Sequence, residues 1–213
     1  MKRIGGLKIA IINFIEENKS IYMFTVVLLF MGVVFGAIIV NSLSFNQKND
    51  LYAYLTLFFG QVDQGEFASS TEMFAQTFSH YIKYLGLMWL LGLTVIGLPI
   101  NYILLFIKGI VVGFTVGFLV NQMGFDGFLL AFVSVLPQNI LLIPIYVTVA
   151  TVATVFSIRI WRQISRRGYE PIFQYFVQYA IFFVFICILI AIVSFYEAYA
   201  SPPIIRTVLS WIS

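Results

Sequence analysis

Apolar residues run through this chain in long stretches, and the few polar breaks divide those stretches into helices. Residues 21–40, IYMFTVVLLFMGVVFGAIIV, contain no charge. About 20 residues in a helix cross the roughly 30 Å hydrocarbon layer of a bilayer, so this stretch predicts a first membrane span. The preceding segment, 1–20, has Leu7, Ile11, Phe14 and Ile15 at helical spacing, which predicts a short helix on the membrane surface. Its basic start (Lys2, Arg3, Lys8) resembles a signal peptide. Glu16, Glu17 and Lys19 interrupt it, however, and no small-x-small cleavage site follows the long apolar run. The first span is therefore expected to stay uncleaved.

Residues 41–82 are polar enough to lie outside lipid. Within them, LYAYLTLFF (51–59) sets Leu51, Tyr54, Leu55, Phe58 and Phe59 along one side, and FASSTEMFAQTFSHYI (67–82) repeats the pattern with Phe67, Phe74, Phe78 and Ile82. Both read as amphipathic interfacial helices, the second capped by Ser69 or Ser70. With the turn GQVDQGE they form a candidate partner-docking platform, or they close the top of a bundle.

From Tyr84 to Asn121 only Lys108 breaks the apolar run, which is too long for one span. A hairpin turning at Lys108 puts the ammonium at the interface and gives spans at 84–107 and 109–122. Turning at Pro99 would leave a lysine near the bilayer centre, at ~2.5–3.5 kcal/mol. NQMGFDG (121–127) reads as a turn. Residues 128–158 carry no charge and would measure ~46 Å as one straight helix. The stretch VLPQNILLIP within them has two prolines, each removing a helix donor. This predicts a broken or re-entrant segment near 128–144, with a half-length helix before Pro137 and a fourth span, all within 128–160. A basic loop at 161–170, a last span at 172–196 and an outer tail at 197–213 complete the chain.

Composition agrees. The chain is 61% hydrophobic and 10% charged, against ~45–50% and ~25% for soluble domains. The expected fold is all-α, a polytopic integral membrane helix bundle in one membrane domain with five transmembrane crossings. Charge gives the orientation. With the N-terminus in the cytoplasm, nine cationic residues lie inside (Lys2, Arg3, Lys8, Lys19, Lys108, Arg159, Arg162, Arg166, Arg167) and three outside (Lys48, Lys83, Arg206). Three acidic residues then lie inside and six outside, Glu197 among the latter. The C-terminus is expected outside.

Candidate chemistry is sparse. His80 is the sole histidine and Cys187 the sole cysteine, which excludes a histidine-built zinc site and an internal disulfide. Ser134 and Cys187 have no evident base, KGIVVG lacks the ending of a phosphate loop, and no carboxylate falls inside the expected spans. The expectation is no enzyme, no cofactor, no metal and no nucleic-acid partner. Glycine carries more information. Gly32 and Gly36, and Gly109, Gly113 and Gly117, recur four apart, which lets helix backbones approach closely. Their mate is either internal or a second copy in a homo-oligomer. In the broken segment, Gln138 and Asn139 are expected to bond carbonyls freed by Pro137 and Pro144. That segment is a packing kink or re-entrant corner, a partner or lipid site, or part of a permeation path. Together with Lys108 it supports an alternative function as a channel or transporter subunit.

The stretches MGVVFGAIIVNS, FFGQV, KYLGLMWLLG, KGIVVGFTVGFLVNQMG and FVSVLPQN resemble the stage II sporulation protein M family of endospore-forming bacteria, over residues 21–200. In the wider superfamily the broken segment often reads Pro-His-Gly with a later glutamate; here Gln138 and Asn139 follow Pro137. The resemblance implies a multi-pass protein of the mother-cell membrane at the sporulation septum. It implies a non-enzymatic scaffold that works with two peptidoglycan hydrolases, stage II sporulation proteins D and P, in septal wall thinning and forespore engulfment. It supplies no site residues.

Overall fold

Two chain reversals in this protein, at residues 92–96 and at Gly124, are set by glycine and threonine chemistry and not by the charges. The computed structural model describes residues 13–64, 69–166 and 172–212, and the regular structure among them is helical. The helices are α1 (Lys19–Ser42), α2 (Phe45–Gln64), α3 (Ser70–Leu91), α4 (Gly97–Ser134), α5 (Leu136–Arg166), α6 (Ile172–Tyr199) and α7 (Ser201–Ile212). Residues 1–12, Phe67 and most of the basic loop lie outside the described residues.

Four of these helices, α1, α4, α5 and α6, are long and apolar enough to cross a membrane. α3 is not among them, because Glu72, His80 and Lys83 interrupt its apolar positions. Ser69 caps α3 with a complete capping box. Its side chain accepts from the Glu72 amide at 3.3 Å, and Glu72 Oε2 accepts from the Ser69 amide at 3.0 Å. The expected interfacial helix at 67–82 and the start of the expected span at 84–107 are thus one continuous helix.

The hairpin expected at Lys108 turns instead at residues 92–96. Thr94 stabilises that turn: its hydroxyl accepts from the Gly97 amide at 3.1 Å, and its carbonyl accepts from Ser157 Oγ at 3.0 Å. Gly97 is required there, since a Cβ would run into the Leu91 carbonyl. Lys108 consequently lies well inside α4.

At Gly124 (φ 59°, ψ −125°) α4 breaks and the chain reverses. Residues 125–134 then pack back along the helix they left: Leu119, Ala131 and Val135 share a cluster with Val116 and Met123. Helical bonding carries through into α5, because the Val135 amide donates to the Ala131 carbonyl at 2.9 Å and the Asn139 amide to the Val135 carbonyl at 3.3 Å. The segment near 128–144 is thus two helical pieces, the end of α4 and the start of α5, that meet at Val135 just before Pro137, and the reversal at Gly124 falls within the expected turn at 121–127.

α5 is the central helix. Of its most apolar stretch 67% is buried, against 22–28% for the other three. It packs on α1, α3, α4 and α6. Leu85, Met88, Leu105, Leu142, Tyr146 and Ile190 form the fully buried centre. Phe30, Ile38, Ile103, Val111, Ile181 and Ile188 point outward and give the bundle an apolar exterior suited to lipid. α7 packs across the ends of α2, α4 and α6.

Candidate functional site: a charged cluster inside the bundle

Four helices converge on the one lysine within the apolar part of α4. Lys108 stands about three turns, roughly 16 Å, above Gly97. α3 supplies Tyr81 and Tyr84, α5 supplies Gln138 and Tyr146, and α6 supplies Glu197 from its last turn. The Tyr81 hydroxyl donates to Glu197 Oε2 at 2.8 Å. The amide orientation of Gln138 that satisfies both partners puts its nitrogen 2.9 Å from Glu197 Oε1 and 3.3 Å from Oε2. The Lys108 ammonium lies over the faces of Tyr146 and Tyr81, 5.1 Å and 5.8 Å from the ring centroids, and is electrostatically coupled to Glu197. Tyr84 meets Tyr146 edge-on at 5.6 Å and donates its hydroxyl to the Leu104 carbonyl at 2.6 Å. Tyr146 is 0% exposed and Tyr81 6%.

Each contact compensates a desolvation cost. A lysine alone near a bilayer centre costs ~2.5–3.5 kcal/mol on an insertion scale. A desolvated cation–π contact contributes ~2 kcal/mol, and the nearby carboxylate adds to it. A turn at Lys108 is favoured only while the lysine bears its full desolvation cost, and the fold supplies partners that offset it. Glu197, expected in the outer tail, is one of those partners. Tyr81, Tyr146 and Glu197 were missed because nothing in their local spacing ties them to Lys108. The usable signal was that an intramembrane ionisable residue calls for an interior partner, and Glu197 is the acid flanking the last apolar run.

The glycine rows form the tightest seam in the protein. α1 and α4 run parallel. A Cβ on Gly32 would strike the Phe106 carbonyl, one on Gly36 the Ile110 carbonyl, one on Gly109 the Leu29 carbonyl, and one on Gly113 the Val33 backbone; Gly117 sits against Ala37. The mate of each row is the other row, within one chain. On the N-terminal side of the seam, hydroxyls pair across helices: Thr25 with Thr151 at 3.0 Å, and Thr154 with Tyr102 at 3.0 Å.

In the proline segment the two amides part company. Gln138 turns away to Glu197. Asn139 is buried and donates to the Val135 carbonyl at 2.7 Å, not to a carbonyl freed by Pro137 or Pro144, and its Oδ1 has no partner. Pro144 lies inside α5 without ending it.

The outer aromatic residues also divide. Phe74 and Phe78 stack on each other at 5.8 Å, and Phe78 packs on the main core, so these two close the bundle. Leu51 is half-buried, and Leu55 packs against Leu119 and Val135. Tyr54 points outward at 72% exposure, joined by Phe45 (77%) and Leu57 (67%). Only the backbone of Phe58 and Phe59 is described. His80 is exposed, edge-on to Tyr81, and Ser134 Oγ donates to the Leu130 carbonyl of its own helix. Among the described residues, no group of three His, Cys, Asp or Glu converges for a metal ion.

Residues 25–202, which include the whole charged cluster and both glycine rows, match the family model of stage II sporulation protein M. The chain belongs to that family. Membership in the stage II sporulation protein M family, with four membrane-length apolar helices, makes this a sporulation-related membrane protein. Comparisons with curated proteins and with solved structures find no match.

Proposed function

We propose that this protein is a non-enzymatic membrane scaffold of the engulfment machinery, recruiting and positioning peptidoglycan-degrading enzymes at the septal membrane for septal wall thinning. In this reading the partners are stage II sporulation proteins D and P, and the membrane is that of the mother cell. Five crossings (α1, α3, α4, α5 and α6) leave the N-terminus cytoplasmic and α2 and α7 on the outer side. The fully buried Leu85 and Met88 of α3, packed with α6, support counting α3 as a crossing. With Lys108 withdrawn from the tally, eight cationic residues remain on the inner side and three on the outer, which still favours this orientation.

The reading rests on α2, where Tyr54 and Leu57 stand exposed on one side and Phe45 at the start of the helix, on a protein of a sporulation family. An aromatic-rich exposed face suits a protein partner. The test is Tyr54→Ala combined with Leu57→Asp. The expected result is loss of co-purification with proteins D and P and loss of septal focus, at unchanged protein level. Intact co-purification and focus would end the proposal that α2 docks the hydrolases.

A second reading, a channel or transporter subunit, is supported by the opposite charges of Lys108 and Glu197 inside the bundle. It requires solute or ion flux through the purified protein in liposomes, altered by Lys108→Met.

A further inference from the structure

The surroundings of the Lys108 tip have the composition of an ammonium receptor. Two aromatic faces, Tyr81 and Tyr146, lie within 6 Å of the nitrogen, at 5.8 Å and 5.1 Å. A third ring, Tyr84, buttresses Tyr146 edge-on. One carboxylate, Glu197, lies close enough to couple electrostatically to Lys108 and is held in place from two sides, by the Tyr81 hydroxyl at 2.8 Å and the Gln138 amide at 2.9 Å. Aromatic faces combined with an anchored carboxylate recognise cations, and organic ammonium groups above all, because ring quadrupole and negative charge act together in a water-poor site. Anions are rejected by the same groups. The residues come from α3, α5 and α6, whereas the guest comes from α4, so host and guest are separate elements of the fold.

We propose that Tyr81, Tyr146, Gln138 and Glu197 form a cage for a primary ammonium group, and that the chain's own Lys108 is its resident guest, pinning α4 to the other three helices. The cage recognises the ammonium itself and not merely the aliphatic stem. A free primary alkylammonium therefore occupies it when the lysine is removed.

Chemical rescue tests this directly. Lys108→Ala deletes the equivalent of a propylammonium ion. The purified full-length variant in detergent is expected to unfold several degrees below the wild-type chain. Propylammonium, added in the millimolar range, raises its Tm by a saturable increment, while propanol does not. Wild-type protein and the double variant Lys108→Ala/Glu197→Gln show no such increment. Equal shifts with propylammonium and propanol, or an equal response of the double variant, would overturn the cage. Should Lys108→Ala fail to fold, the wild-type chain still decides the matter. Under reductive methylation Lys108 stays unmodified while Lys48 and Lys83 react, and Tyr146→Leu makes Lys108 reactive. Methylation of Lys108 at the rate of Lys83 in the folded wild-type chain would overturn the proposal.

Discussion

Tyr81 and Glu197 are joined by a 2.8 Å hydrogen bond that ties the middle of α3 to the last turn of α6. One of the two carries charge, both stand in an otherwise apolar bundle, and neither belongs to a recognisable local motif. The bond is one strut of a neutralised cluster, and the cluster's energetics set the first expectation.

Lys108 and Glu197 are half-buried and close enough to couple electrostatically, so removing one leaves the other less compensated, whereas removing both comes closer to neutral. Lys108→Met and Glu197→Gln should each lower stability strongly. The double variant should be much less destabilised than the sum of the two. A double-mutant cycle by denaturant titration in micelles measures this, and additive losses would mean that the two groups do not sense each other.

The parallel glycine seam has no room for side chains. Gly113→Ala or Gly36→Ala forces Cβ into the backbone of the facing helix, an overpacking cost of about 1–3 kcal/mol or more. Gly60 in α2 is the control, since a Cβ there meets nothing within 4 Å. Gly60→Ala should be neutral or gain roughly 0.5–1 kcal/mol from helix propensity. Thermal unfolding of the three variants separates crowding from a generic glycine effect.

Gly124 presents a different case. No atom would contact a Cβ there, but φ of 59° with ψ of −125° is backbone geometry open to glycine alone. Gly124→Val should cost about 1–3 kcal/mol through strain. Proteolysis near the α4–α5 reversal should accelerate while the spectrum stays helical. An unchanged cleavage rate would argue that the reversal tolerates an ordinary residue.

Thr25 and Thr151 share a buried hydrogen bond of 3.0 Å, yet Thr151 Oγ1 also donates to the Val147 carbonyl at 2.8 Å. Loss of Thr25 therefore leaves its partner satisfied. Thr25→Val is expected to cost under about 1 kcal/mol, in line with interhelical bonds in membranes. A loss above about 2 kcal/mol, read from the unfolding midpoint, would reveal a larger polar network.

Some of this architecture was legible in the sequence. The first span, the glycine faces and the Ser69 cap depend on local spacing, and local spacing is what a sequence displays. The mate of the glycine rows was not legible, because periodicity names a face and not the surface opposite. Lys108 was misplaced for an energetic reason: its cost was known while the rings and carboxylate that offset it lay on three other helices. Glu197 was read as outer tail because it follows the last apolar run by a single residue, and Gln138 was read as a repair for a proline when its amide serves Glu197. The turn at 121–127 was legible in its glycines and polar residues, with Gly124 as its pivot, whereas the backbone bonds that carry from α4 across Val135 into α5 were not, because the prolines beside them signal only a break.

The parallel pairing of α1 with α4 also constrains biogenesis. Gly32 cannot meet Gly109 until everything between them has left the ribosome, so the first helix waits in the bilayer with a naked groove along one side. During that interval its glycine face has no backbone to pack against. The late arrival of α4 is thus the step that commits the nascent chain to its own fold.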